Sequence, residues 1–166
     1  MQHSRARVNR FGAVRYLWLD RCSTGPMVGR TPTIVRVSTI FTKILDGAIP
    51  GTFVMRDELC GVFMSINPLA RGHALVVPVA EVDHWVDLPV DLALHLFAVS
   101  HRVAAAQRRA FACDRVGLII AGYEVPHTHV HVIPTTSMDQ LSFANAAASV
   151  GSDELEAAAA AIRAEL

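Results

Sequence analysis

The chain has 166 residues, 52% of them apolar, and its 15 basic and 15 acidic side chains leave no formal net charge. That length fits one domain with a proper core, and the balanced charge excludes a general pull towards nucleic acid or an acidic membrane surface. Cys22, Cys60 and Cys113 are odd in number and far apart, so they offer neither a disulfide framework nor a CxxC metal pair and a reducing, cytoplasmic setting is expected. No apolar run approaches the ~18 residues that span a bilayer.

Residues 1–37 differ from the rest. Arg5, Arg7, Arg10, Arg15, Arg21, Arg30 and Arg36 face a single acid, Asp20. Gly25-Pro26, Gly29 and Thr31-Pro32 interrupt apolar patches too short to build a core. An organellar presequence or a basic arm for nucleic acid would use such a composition. An extension outside the folded domain, or a stretch upstream of a translated start at Val37, fits the looseness of termini better. The expected organisation is therefore an Arg-rich extension over 1–37, a folded domain over 38–145, and a C-terminal tail with a helix over 146–166.

Thr39 to Asp46 reads as a short helix, with Ser38 or Thr39 as N-cap and Gly47 as its stop. Phe53–Arg56 and Cys60–Ser65 read as a hairpin turning at Asp57-Glu58. His73–Val77 is the next strand, preceded by a tight turn at Gly72 and ended by Pro78. From Pro89 to about Phe111 the period changes: Leu92, Leu96, Val99 and Val103 form one stripe of an amphipathic helix. Arg102, Arg108 and Arg109 gather towards its C-terminal end, where the helix dipole favours cations. His95 and His101 are six apart and share no face, so both read as ordinary helix residues, and His84 and Trp85 as anchors in the loop before it. Val116–Ala121 reads as a buried strand, followed by a turn at Gly122-Tyr123-Glu124. Ser142–Asn145 suggests an edge strand or a dimer contact, and Ser152 or Asp153 caps an alanine-rich helix to about Glu165.

One stretch stands apart, Val125-Pro126-His127-Thr128-His129-Val130-His131-Val132-Ile133-Pro134. Alternation is the period of a strand, so the three histidines should point to one face and Val130 and Val132 to the core. Pro126 and Pro134 cannot donate to a ladder and should bracket the strand. An imidazole row can bind a metal through neutral ring nitrogens, or supply a nucleophile with its acid–base partners. Water is the easier neighbour for such groups, so a row of them points to a site.

His127-Thr128-His129-Val130-His131-Val132-Ile133 resembles the histidine-triad signature, His-φ-His-φ-His-φ-φ, of the HIT nucleotide hydrolases and transferases, with Thr128 in place of an apolar residue. Thr39–Ile44 through Gly47–Pro50 resembles that family's opening helix and turn, and Ile66–Pro78 its central segment. The resemblance spans about residues 38 to 145. It implies an α+β, HIT-like fold: an antiparallel meander sheet with one long helix and a short N-terminal helix. It further implies a homodimer acting without a cofactor on a purine nucleotide, an AMP or GMP derivative such as a nucleoside phosphoramidate or a dinucleoside polyphosphate.

By that resemblance His129 is the nucleophile that attacks the α-phosphate. His127 orients it, His131 hydrogen-bonds a phosphoryl oxygen or the bridging atom, and His73 joins the catalytic network. The nucleotide contacts would be Phe41, Ile44, Ile49, Ser65, Asn67, Tyr123 and Glu124. Ser65 stands where many relatives carry Asp or Asn for the ribose hydroxyls. Tyr123 and Glu124 stand where an amide and a hydroxyl are common, and a carboxylate near a phosphate is repulsive unless protonated or turned away. Zinc-binding relatives carry two cysteines at the positions of Thr39 and Thr42 and a histidine at that of Glu81. Two hydroxyls and a carboxylate are a poor zinc set, so no structural metal is expected. Two alternatives compete with the enzyme reading: a catalytically weak, nucleotide-binding regulatory dimer, and a metal site on the histidine row itself.

Overall fold

The computed structural model describes residues 38–166, so the expectation for the Arg-rich stretch lies outside the described residues. Five strands form one sheet: β1 (Phe53–Arg56), β2 (Cys60–Met64), β3 (Ala74–Pro78), β4 (Arg115–Ile119) and β5 (Val130–Thr135), in the order β1-β2-β3-β5-β4. Every neighbouring pair is antiparallel. Among the described residues three α-helices accompany it: α1 (Ile40–Leu45), α2 (Val90–Ala110) and α3 (Ser152–Arg163). The first three strands are the expected meander. α2 then carries the chain over the sheet, so that β5 enters between β3 and β4 and becomes an interior strand.

Local chemistry accounts for the turns. Asp57 Oδ1 accepts the main-chain N–H groups of Leu59 and Cys60 at 2.9 and 2.8 Å, which closes the β1–β2 hairpin. Gly72 has φ +92°, and a Cβ there would collide with the Phe111 ring, so the turn before His73 needs glycine. Thr39 caps α1 by accepting the N–H of Thr42.

The sheet has two unequal faces. Val62, Met64, Ala74, Val76, Val130 and Val132 pack with Leu96, Val99 and Val103 of α2 and with Leu155, Ala158 and Ile162 of α3 in the main core. Phe63, Leu75 and Val77 alternate with that set and pack with Phe41 and Leu45 of α1 in a smaller cluster. Burial of side chains of this size contributes roughly 1.5–3 kcal/mol each, so the main core carries most of the stability and leaves the thinner α1 face for chemistry. At the end where the β3–β5 ladder runs out, Gln107 of α2 donates to the carbonyls of Gly72 and Val132 at 2.8 and 3.0 Å. No described helix is long and apolar enough to cross a membrane.

Three sequence expectations are corrected. The strand carrying the histidines starts at Val130, not at His127, and Pro134 lies inside it. The observed β3–β5 register pairs Val76 with Val130; continued by two residues it would set Thr128 against Pro78, which has no N–H to give. The Pro78 carbonyl is taken by His127 Nε2, and the Thr128 N–H reaches the Val82 carbonyl at 2.6 Å. Secondly, β4 is an edge strand whose residues are half-buried or exposed, not a buried strand. Thirdly, Ser142–Asn145 is not an edge strand: Phe143–Asn145 forms a short 3-10 turn, which follows another at Met138–Leu141.

Candidate active site

β5 sends Val130 and Val132 into the main core, so His129 and His131 fall on the opposite, α1 side by strand alternation. His131 is held in the ladder between Leu75 and Ile119. His127 and His129 precede the ladder and are fixed by specific bonds instead. The rings gather closely: the His129 and His131 centroids are 4.8 Å apart, those of His131 and His73 5.1 Å, and Phe41 lies edge-on to His129 at 4.9 Å. His127 is fully buried, whereas His129 and His131 keep 6% and 9% of their surface exposed.

The hydrogen-bond partners assign the tautomers, because some can only donate and others can only accept. The N–H of Leu69 donates to His73 Nδ1 at 3.1 Å. His73 must then carry its proton on Nε2, which lies 2.9 Å from His131 Nδ1 and donates to it. Neutral His131 therefore carries its own proton on Nε2. On the other side, His127 Nε2 donates to the Pro78 carbonyl at 2.9 Å, leaving Nδ1 to accept the Thr39 hydroxyl at 2.8 Å. His129 Nδ1 donates to the His127 carbonyl at 2.7 Å, so the lone pair is on Nε2. Two adjacent rings thus present opposite characters, a base on His129 and a donor on His131.

Burial keeps these rings neutral. It pulls His73 down to about 4 and His131 to about 3, with the neighbouring imidazoles opposing any second charge. His127 and His129 are also lowered by burial; the carbonyls of Pro78 and His127 that accept their N–H protons offset part of it. The Glu124 carboxylate also acts on His129 in that upward direction.

The remaining predicted contacts divide. Phe41 lies against both His127 and His129, and Ile44 is packed beside it. Ile49 is half-buried, its N–H given to the Lys43 carbonyl. Ser65 is half-buried and pairs through its main chain with His73. Asn67 gives its side-chain amide to the carbonyls of Ala147 and Ala148 and so ties down the C-terminal segment. Tyr123 is 98% exposed, and Glu124 beside it is exposed as well. Sequence reading assigned no site role to Phe143, whose ring meets His131 edge-on at 5.0 Å; a lone aromatic in an irregular tail carries no periodic signal. A surface cleft between α2 and β4, lined by His101, Ala104, Arg108 and Arg115, includes none of the triad residues.

The HIT domain profile matches residues 46–138. The chain belongs to the histidine triad (HIT) family. It is 36% identical to an uncharacterized HIT-like protein of Methanocaldococcus jannaschii, over 57% of this chain and 77% of that one. It is 29% identical to the adenosine 5′-monophosphoramidase of Saccharomyces cerevisiae, over 63% of this chain and 66% of that one. A zinc-bound histidine triad family protein from Mycobacterium smegmatis has a similar solved structure, with a TM-score of 0.67 at 29% identity, covering 77% of this chain and 92% of that one.

The donors of this HIT chain beside His127 do not fit zinc. Thr39 and Thr42 offer neutral hydroxyls where structural zinc takes thiolate or imidazole. Glu81 Oε2 already accepts the Thr39 N–H and the Thr42 hydroxyl, and His127 Nδ1 already accepts the Thr39 hydroxyl. Nor do the triad nitrogens converge as ligands. Among the described residues the one grouping of three or more His, Cys or acidic side chains with ligand atoms all within 4.8 Å of one another is Asp57, Cys60 and His95. There Asp57 closes the hairpin and bonds His95 at 2.9 Å, and burial first, then the Asp57 charge, pushes the Cys60 thiol up to about 12.

The neutral rings make stability pH-dependent. His73 and His131 have folded values below the ordinary 6.5. Above that value their contribution is fully present; below it the unfolded chain takes up protons that the folded chain refuses. Stability should therefore fall as pH drops from about 6.5 to 5, by up to about 1.4 kcal/mol per pH unit per histidine. Urea unfolding across that window, where ordinary carboxylates contribute little, checks this; a flat profile contradicts it.

Proposed function

We propose that this HIT protein is a nucleotidyl hydrolase or transferase acting on an AMP or GMP derivative, a nucleoside phosphoramidate or a dinucleoside polyphosphate. The observation that carries the reading is the His129 ring, whose Nδ1–H is committed to the His127 carbonyl and whose Nε2 carries the lone pair. In the first step Nε2 attacks the α-phosphorus, a P–N bond forms, and the bond to the leaving amine or phosphate breaks. The imidazole gains positive charge, which the carbonyl accepting its Nδ1–H stabilises. The His131 Nε2–H donates to a phosphoryl oxygen or the bridging atom without giving up its proton, and a leaving amine takes a proton from water. In the second step water attacks the phosphorus and breaks the P–N bond, its proton passing to solvent, which releases the nucleoside monophosphate and restores neutral His129. Phe41 and Ile44 supply an apolar wall for the base, Ile49 and Ser65 lie within reach of the nucleoside, and His73 holds the donor character of His131. The resemblance to the yeast monophosphoramidase supports the substrate class.

A second reading, a nucleotide-binding regulatory protein with little turnover, is favoured by one observation. Glu124 acts electrostatically on His129, and a carboxylate there opposes an incoming phosphate. Trapping separates the two readings: incubation with an adenosine phosphoramidate should leave acid-labile AMP on the wild-type chain. His129→Ala should abolish both the adduct and turnover, at least 1000-fold, while AMP still binds. Full activity in that variant refutes the nucleophile assignment, and binding without any adduct or turnover in the wild type supports the regulatory reading.

We also propose that the protein works as a cytoplasmic homodimer. β4 is an apolar edge with Leu118 exposed, and α2 exposes Leu94 and Phe97; an edge of this kind is normally paired or covered. Sedimentation at micromolar concentration should give the dimer mass, and a monomer throughout would contradict this.

A further inference from the structure

Glu81 lies in the loop after β3, yet it reaches the start of α1. Its Oε2 accepts the Thr39 N–H at 3.0 Å and the Thr42 hydroxyl. The Thr39 hydroxyl is 2.8 Å from His127 Nδ1 and the Thr42 hydroxyl 3.5 Å. Since His127 Nε2 donates to the Pro78 carbonyl, Nδ1 can only accept. The two hydroxyls, 3.1 Å apart, then meet two better acceptors than each other, the carboxylate and Nδ1. The carboxylate, the stronger one, takes the proton of Thr42, which leaves Thr39 to donate to Nδ1. The Thr39 oxygen in turn accepts the Thr42 N–H at 3.2 Å. Each proton has one destination, and Glu81 Oε2, the two hydroxyls and His127 Nδ1 are all engaged. The Glu81 carboxyl is correspondingly held below its usual range, by the Thr42 hydroxyl first and the Thr39 amide second.

We propose that Glu81, Thr42 and Thr39 form a metal-free positioning relay that fixes His127 and, through the His127 carbonyl, aims the ring of His129. The relay rests on the nucleotidyl-transfer reading for its consequence in catalysis. Glu81 sets its direction: without the carboxylate the Thr42 hydroxyl is released to compete for Nδ1, and the His127 ring loses its single donor. Nδ1 of His127 then no longer has one fixed donor, while Nε2 keeps the Pro78 carbonyl; the ring turns about that remaining bond, and the carbonyl that orients His129 moves with it. None of the three residues needs to touch the nucleotide, so binding is spared.

The test is a double-mutant cycle on turnover of an adenosine phosphoramidate with Thr39→Val, Glu81→Ala and both together. Each single variant should lower kcat about tenfold or more with KM within about twofold. The double variant should be no slower than Thr39→Val alone, and Thr39→Ser, which keeps the hydroxyl, should recover most of the loss. Losses that multiply, or wild-type kcat in either single variant, overturn the relay. Two readouts do not depend on turnover. The Nδ1 nitrogen resonance of His127 should move in Glu81→Ala as well as in Thr39→Val, with the rest of the amide spectrum kept. Protein equilibrated with buffered zinc should hold far less than one equivalent. An unmoved resonance in Glu81→Ala, or stoichiometric zinc that Glu81→Ala releases, overturns the proposal even if the wild type turns over no nucleotide, an outcome that would sink the transfer reading separately.

Discussion

The bond from His129 Nδ1–H to the His127 carbonyl, 2.7 Å long, is the constraint on which the rest of the site depends. A neutral imidazole is useful as a nucleophile only if the correct nitrogen carries the lone pair. A main-chain carbonyl accepts and never donates, so it decides the tautomer without an ionised partner. It also sits two residues from the ring it orients, which makes the geometry a property of the local backbone. That backbone must then be held, and several apparently separate features do so. The Thr128 N–H is tied to Val82, His127 Nε2 to Pro78, and His127 Nδ1 to the Thr39 cap of α1.

The ladder and the site are complementary for the same reason. Pro78 ends β3 and withholds an N–H from Thr128, so the chain leaves regular pairing where His127 needs a different environment. The Pro78 carbonyl is used for the His127 ring. Below this point β5 is an interior strand with His131 locked between Leu75 and Ile119. The reactive ring therefore stands at a junction of irregular and regular structure, supported from below by a packed core and from the side by α1. His73, just before β3, completes the arrangement by fixing the donor on His131.

Much of this was legible in the sequence, and the misses have physical causes. Period-2 alternation placed His129 and His131 opposite Val130 and Val132, and the heptad-like spacing of Leu92, Leu96, Val99 and Val103 gave α2 nearly to its ends. The hairpin at Asp57 and the stop at Gly47 followed from turn chemistry. Alternation alone could not say that the strand starts at Val130, because that depends on the partner at Pro78 across the sheet. The apolar run of β4 reads as buried in either a central strand or an edge that another surface covers, and only topology distinguishes them. Phe143 was invisible as a site residue because its meaning lies in a contact made across the fold, with His131. Thr39 and Thr42 read as the lack of a metal site; the structure gives the same hydroxyls a positive task, donating to His127 and to Glu81.

The most direct measurement is the protonation pattern of the histidine rings by long-range proton–nitrogen correlation near pH 7. The structure requires neutral rings with the proton on Nδ1 for His129 and on Nε2 for His73, His127 and His131. A His129 ring protonated on Nε2, or on both nitrogens at that pH, would leave no lone pair to attack phosphorus and would contradict the account.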